Sequence, residues 1–389
     1  MPRISPFVGL CFDRSRVGDF ERVTAPPYDV ISTEEHGRFL ASSPFNVIRL
    51  DLGHEPGRAE RPERYTQAAA DLAAWRNEGV LRLTEGEAYF PYEMRFSLHG
   101  RRRRIRGLVC AVELEDWDGG IVPHERTMPG PVRDRLRLVR SVAANLSCIY
   151  SIFPGPNRTL EGWLSGSTAG APHAELTDRD GVEHRMWIAP PDPDVERWFH
   201  GETLMIADGH HRYATALRYR DEMRATHGPG PWDATMMFLV DAGLEDPPVL
   251  PFHRIQVAGA APADGVRVRD LGEVLESVDD GKLVVGTAAR EDGGLVHRVV
   301  ELAGLPPAVS RLHETTLSGL DHAIRFTADA VAAEEAVRSG RAVAAYFLPA
   351  TDAGTIRSVV DGGDRLPQKS TFFWPKPRTG LVLRPHDTA

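Results

Sequence analysis

Cysteine is scarce in this chain of 389 residues: Cys11, Cys110 and Cys148 are the only three. They are too few and too scattered for a disulfide framework or a structural zinc site. Cys110 stands in the apolar stretch Leu108 to Val112, where a thiol is a small hydrophobe, so a reducing, cytoplasmic setting is the expectation. The opening MPRISPFVGL has neither the charged nor the apolar region of a secretory leader, and no uninterrupted apolar run is long enough to span a bilayer. Cations are in deficit as well. With 46 Lys and Arg against 55 Asp and Glu the net charge is −9, which argues against a protein whose main partner is a nucleic-acid backbone. The one dense basic run, Arg101 to Arg104 with Arg106, follows a His99-Gly100 turn between two strand-like segments. On a strand these side chains alternate between faces, so the run reads as a solvated hairpin edge that discourages sheet-to-sheet association. No internal repeat occurs.

What is present is the composition of a soluble globular protein, 42% hydrophobic and 26% charged, long enough for about two to three domains. A strand is predicted near Asn46 to Leu50, then a helix with Tyr65, Ala69, Leu72 and Trp75 on one face, ended by Gly79. Residues 87 to 115 read as a hairpin, and Val132 to Ala144 as an amphipathic helix. The Gly-, Ser- and Thr-rich stretch from Gly155 to Asp180 reads as a loop or insertion. Towards the C-terminus the pattern predicts a helix over Asp329 to Arg338, a strand over Arg341 to Leu348, a helix near Thr355 to Val360 and a last strand near Gly380 to Leu383. The expected division is a scaffold segment (1–86), a core (87–255, with an insertion around 155–180) and a C-terminal α/β domain (256–389). Alternating helices and strands imply a mixed α/β or α+β protein of more than one layer.

The strongest chemical signal is ADGHHRYATAL, Ala207 to Leu217. A buried strand over Thr203 to Ala207 leads through Asp208-Gly209 into a helix whose apolar positions include Tyr213, Ala216 and Leu217. Asp208 is expected to cap that helix, Gly209 to permit the bend, and the first-turn amides to present the positive end of the helix dipole. Arg212 adds a planar fork suited to two phosphate oxygens. Successive helical residues point about 100° apart, so His210 and His211 are not both buried cheaply, and the motif reads as an anion site. A strand, a Gly turn and a capped helix are common α/β furniture; the adjacent histidines tip the reading towards function.

A second constellation is PHERTMP, Pro123 to Pro129, in which Glu125 beside His124 has the chemistry of a general base. Its plainer reading is a solvated loop with a capping threonine. A third is Lys369 to Lys376, KSTFFWPK, either a substrate-contacting loop or exposed lysines around a buried aromatic wedge.

Together IADGHHRYATAL, IVPHERTMPGPVRDRLRLVRS, APPYDVIS and LPQKSTFFWPKPRTGLV closely resemble a broad prokaryotic family of unknown function labelled SpoOJ/ParB-like, along essentially the whole chain. Within it, the two central segments resemble an enlarged ParB/sulfiredoxin-like nucleotide-binding core with an N-terminal extension and a C-terminal α/β domain. One branch of that superfamily consists of kinases for free L-serine that use ADP or ATP, with a loop glutamate as base and a D-G-H-x-R phosphate motif. The resemblance implies Glu125 as catalytic base next to His124. It implies Asp208, Gly209, His210 and Arg212 as the phosphate motif, with His211 in the variable position. The long extra segments, and about 80 residues between the motifs, prevent the substrate pocket from being carried over.

The expectation is therefore a kinase for a small hydroxylated metabolite, first of all L-serine, using ATP or ADP with Mg2+. Catalysis would fall to Glu125, His124 and Asp208, with Asp208 also the Mg2+ ligand or the group that orients the acceptor. Gly209, His210, His211 and Arg212 would hold the nucleotide. A nucleotide-binding switch without an acceptor is the alternative. A metal-dependent hydrolase on His210, His211 and His124 ranks third, because zinc-binding histidines on a helix are spaced four apart. The partner is thus a hydroxy amino acid, with neither membrane nor nucleic acid; a homodimer is the default assembly.

Overall fold

A computed structural model of the chain describes every residue except 1, 58–60, 118, 280–283, 292, 302–322, 351–355, 357–358, 361, 364, 368 and 388–389. Its contacts define two units: one holds residues 1–123, 127–247 and 375–389, the other 124–126 and 248–374. The architecture is mixed α/β, as the alternating apolar periods predict. Among the described residues no helix is long and apolar enough to cross a membrane.

In the first unit one sheet is built from β1 (Ile4–Ser5), β2 (Phe90–Leu98), β3 (Arg101–Glu113), β4 (Ile121–Pro123), β5 (Ile149–Phe153), β6 (Ala174–Thr177), β7 (Glu183–Met186), β8 (Leu204–Asp208) and β9 (Ala234–Asp241). The spatial order is β4-β8-β5-β9-β3-β2-β7-β6, with β1 also paired to β3. Four helices matter for the site: α1 (Pro62–Asn77), α2 (Pro129–Val142), α3 (Arg158–Ser167) and α4 (His210–His227). Strands β3 and β9 are apolar along their paired length because they run through the core. Leu108, Cys110, Val112, Met237 and Leu239 cluster with Leu160 and Leu164 of α3 and with Tyr213 and Leu217 of α4. All three cysteines are free and buried.

Gly107 pairs with Val240 at the end of the ladder between these strands. A Cβ there would lie 2.2 Å from the Leu239 carbonyl oxygen and 2.9 Å from Phe238 and Val240 side-chain atoms. Gly107→Ala is expected to destabilise the fold by about 3 kcal/mol, the upper range for overpacking, because a backbone oxygen cannot swing aside as a side chain can. An unchanged urea midpoint would refute that tight spacing.

Several sequence-based expectations are corrected. Asn46 to Leu50 is not a strand: Ile48–Asp51 is a helical turn, nucleated by the buried Asn46 side chain. Its Oδ1 accepts from the Ile48 amide while its Nδ2 donates to the Arg22 and Thr24 carbonyls, a local bonding pattern that overrides the apolar run. The stretch from Gly155 is no simple loop. Asn157 caps α3 by accepting from the Leu160 amide, and Leu160 and Leu164, one turn apart, reach the core. The Arg101 to Arg106 run does lie in a hairpin, but β3 is flanked by β2 and β9 and is no edge strand. Residues 101–106 precede the ladder with β9, which covers 107–113, and there the Arg106 amide donates to the Glu245 carboxylate at 3.0 Å and Arg103 to the Asp246 carboxylate at 2.8 Å. At the C-terminus the two-residue strand is Arg384–Pro385, while Leu383 bridges Leu10. The helix expected near Thr355 to Val360 falls largely outside the described residues.

The second unit has its own sheet: β10 (His253–Gln256), β11 (Val266–Val268), β12 (Val284–Glu291), β13 (Gly294–Glu301), β14 (Ile324–Thr327) and β15 (Ala344–Phe347), in the order β11-β13-β12-β15-β10-β14. Helices α5 (Leu271–Asp279) and α6 (Ala330–Arg338) pack on it through Val274, Val278, Ala333 and Val337 against Val284, Ala288, Ala345 and Phe347. Asp329 caps α6 by accepting from the Ala332 amide. A short ladder joins Val249 to Phe373 and Leu250 to Phe372.

Candidate functional site

In the first unit β8 ends at Asp208 and α4 begins at His210, with Gly209 between them at φ +102°, a conformation that favours glycine. Gly209 is itself the N-cap, so no side chain caps the first turn of this 18-residue helix. Asp208 is therefore not the cap expected from sequence. Its carboxylate instead faces two cations, Oδ1 accepting from the Lys376 ammonium and Oδ2 from the Arg212 guanidinium. Arg212 also donates to the Cys148 carbonyl oxygen and to Ser147 Oγ. Burial opposes the Arg212 charge, but Asp208, helped by Asp29, more than offsets it and holds the guanidinium above its ordinary value. Two nearly buried positive side chains thus meet on the Asp208 carboxylate beside a helix N-terminus, a setting suited to an anion.

The two histidines separate, as the helical geometry requires. His210 is buried, while the half-buried His211 accepts from the Met128 amide through Nε2 at 3.0 Å. That contact fixes the start of α2, whose N-cap Met128 has no capping side chain of its own. The Thr215 hydroxyl donates to the His211 carbonyl one turn back, at 2.7 Å, and lies 3.4 Å from the Val132 carbonyl of α2.

In the second unit Glu125 is enclosed by the loop before Phe372. Oε1 accepts from the Ser370 amide (2.9 Å), the Thr371 amide (3.0 Å) and the Thr371 hydroxyl (3.0 Å), and Oε2 accepts from the Lys369 amide (3.0 Å). Three successive backbone donors form a nest that fixes the carboxylate in one orientation. His124, fully buried, shares a 2.7 Å hydrogen bond between Nε2 and Thr371 Oγ1, and its ring meets Phe373 edge-on. Arg254, also fully buried, donates to the Phe252 carbonyl and packs over the Phe326 ring. Burial pushes its guanidinium down to about 9, opposed by the charge of Glu125.

Sequence reasoning missed Arg254 and the partner of Asp208. Both are non-local: Lys376 lies 168 residues from Asp208, and an arginine inside a strand carries no motif. The KSTFFWPK segment, conspicuous in the sequence, serves different motifs at its two ends, Lys369 to Thr371 around Glu125 and Lys376 at Asp208.

A protein-held Mg2+ at Asp208 does not fit this donor set. Both carboxylate oxygens already accept from cations, and among the described residues no group of three or more His, Cys, Asp or Glu side chains comes together. Asp208 is the anion that organises Arg212 and Lys376.

A family model described as protein of unknown function (DUF1015) matches residues 4–276. No curated protein matches the chain. Solved structures similar to it include a free serine kinase in complex with AMP, 12% identical with a TM-score of 0.37 over 67% of this chain and 89% of that one. A mutant free serine kinase in complex with ADP is 13% identical with a TM-score of 0.37 over the same shares. A conserved hypothetical protein from Pyrococcus furiosus is 12% identical with a TM-score of 0.39 over 67% and 92%.

Proposed function

The chain belongs to the DUF1015 family, and from its two motifs we propose that it is a nucleotide-dependent phosphotransferase, moving a phosphoryl group from ATP or ADP to the hydroxyl of a small metabolite, free L-serine first among them. The observation that carries this reading is the start of α4, where Arg212 and Lys376 stand as nearly buried cations on the Asp208 carboxylate beside a glycine-capped helix N-terminus. That is the charge arrangement a polyphosphate needs. On approach of the phosphates Arg212 turns its fork to two oxygens, Lys376 supplies a point charge, and Asp208 keeps both aligned.

In the transfer the acceptor oxygen forms a bond to the terminal phosphorus as the bond from that phosphorus to the bridging oxygen breaks. The departing nucleotide keeps the electron pair. The acceptor's hydroxyl proton passes to the Glu125 carboxylate, whose direction is held by the amides of residues 369–371 and indirectly by His124 through Thr371. Phosphoryl transfer asks mainly for positioning and charge neutralisation, which these residues are suited to supply.

Phosphorus NMR of the purified protein with ATP or ADP, Mg2+ and a panel of hydroxy amino acids tests the reading. A new phosphomonoester resonance with L-serine is the expected result. Bound nucleotide without product for any acceptor would replace the kinase by a nucleotide-binding switch, the reading in which the same phosphate site gates an interaction.

A further inference from the structure

A cavity of about 70 Å³ adjoins Arg212 and lies wholly in the first unit, with Tyr28, Asp51, Arg135, Tyr219, Trp232 and His386 among the residues that line it. Two buried side chains on its wall carry polar atoms with no hydrogen-bond partner among the described residues. His386, 8% exposed, has both ring nitrogens unsatisfied, and Asp51, 3% exposed, uses Oδ1 for Arg135 while its Oδ2 is unsatisfied. Buried polar atoms are almost always paired, because an unmade hydrogen bond forfeits the solvation of the group and returns nothing. Two such groups on one cavity wall therefore point to a ligand.

The chemistry of the wall narrows what that ligand is. The His386 ring stacks on Tyr219, with centroids 5.5 Å apart and planes 27° from parallel, and Tyr28 lies over the Arg135 guanidinium at 4.1 Å. Burial pushes the His386 imidazole down to about 3, so near neutral pH it offers one N–H donor and one lone pair. Asp51 Oδ2 offers an acceptor. Flat, largely apolar walls with a donor and acceptors match the edge of a planar heterocycle. Free L-serine has no ring face to stack and carries both an ammonium and a carboxylate.

We propose that this cavity reads the base of the nucleotide, taking the edge of a ring that bears an exocyclic amine beside an unprotonated ring nitrogen. The amine donates to Asp51 Oδ2, and His386 donates to the ring nitrogen. The inference rests on the nucleotide-dependent reading above and assigns its base-recognition residues. Segments distant in sequence supply the pocket: Tyr28 comes from APPYDVIS, Arg135 from α2, Tyr219 from α4 and His386 from the C-terminal stretch.

Calorimetric titration of the full chain with ATP, with ITP (a keto group in place of the amine) and with inorganic tripolyphosphate tests it. ATP is expected to bind about tenfold more tightly than ITP, since a site built for a hydrogen bond rejects the analogue that lacks it. His386→Phe is expected to weaken ATP about tenfold and leave tripolyphosphate unchanged. The same change should raise the melting temperature of the ligand-free protein, because an apolar ring replaces an unsatisfied polar one. Asp51→Asn, a second variant of the same size, presents an amide donor and should narrow or invert the preference for ATP over ITP. Equal binding of ATP and ITP, unaltered by either variant, would overturn the base pocket and leave the phosphate site standing; waters alone would then fill the cavity. Failure of all three ligands to bind would overturn both readings.

Discussion

Replacing Arg212 by alanine is expected to weaken ATP or ADP binding about a hundredfold. A bidentate, charge-assisted contact to phosphate is worth about 3 kcal/mol, and every 1.4 kcal/mol or so is a factor of ten. The change acts on the fold too. Arg212 donates to three groups, the Asp208 carboxylate, the Cys148 carbonyl and the Ser147 hydroxyl, and its removal leaves the Cys148 carbonyl without that donor and Asp208 with Lys376 as its remaining cation. A stability loss of about 3 kcal/mol follows from breaking a buried pair, lessened by the surviving lysine. Arg212→Lys separates the two effects: it keeps the charge near Asp208, so the fold should largely recover, but it lacks the planar fork, so affinity should recover only in part. Nucleotide affinity in Arg212→Ala equal to the unaltered protein's would remove the α4 terminus as a phosphate site.

The second large effect is expected at Glu125. Glu125→Gln should lower turnover about a thousandfold, within the range for loss of a general base, while nucleotide affinity stays within about twofold. The amide also puts a donor where the nest offers donors. One oxygen can still accept from Ser370 and Thr371, but the new NH2 then faces the Lys369 amide, a mismatch of about 1–3 kcal/mol. Single-turnover assays with saturating nucleotide, read beside a melting curve, distinguish chemistry from unfolding. A folded variant with undiminished turnover would strip Glu125 of its part in proton transfer, whatever the fate of the phosphate site.

Local patterns carried a good share of this molecule. The strand over residues 204–208, the glycine turn and the helix from His210 follow from an apolar run, one residue tolerant of positive φ, and helical spacing, all within one window of sequence. The hairpin around His99-Gly100 and the helix over Pro129–Val142 were legible for the same reason. Where side chains took over the backbone's bonding, periodicity misled: Asn46 turned an apparent strand into a helical turn, and Asn157 started a helix in a stretch that composition marks as loop. Asp208 has the residue type of a cap, yet its charge is engaged by Arg212 and by a lysine far along the chain. The convergence of Tyr28, Asp51 and His386 on one cavity had no local signal at all, since each is an ordinary residue in its own stretch.

The visit of three residues to the second unit restricts how the chain can be cut or recombined. Leu366 donates its amide to the His124 carbonyl, Arg126 donates to the Leu366 carbonyl, and residues 369–371 close around Glu125. A fragment spanning 248–374 carries all the donors of that nest and none of the peptide that fills it, so it is not a portable cassette despite its own sheet and helices. Grafting it onto another host, or exchanging it between relatives, succeeds only when the tripeptide 124–126 travels with it from a distant part of the gene. Length changes elsewhere in the unit escape that coupling, whereas those around 366–371 must be matched by compensating changes at 124–126.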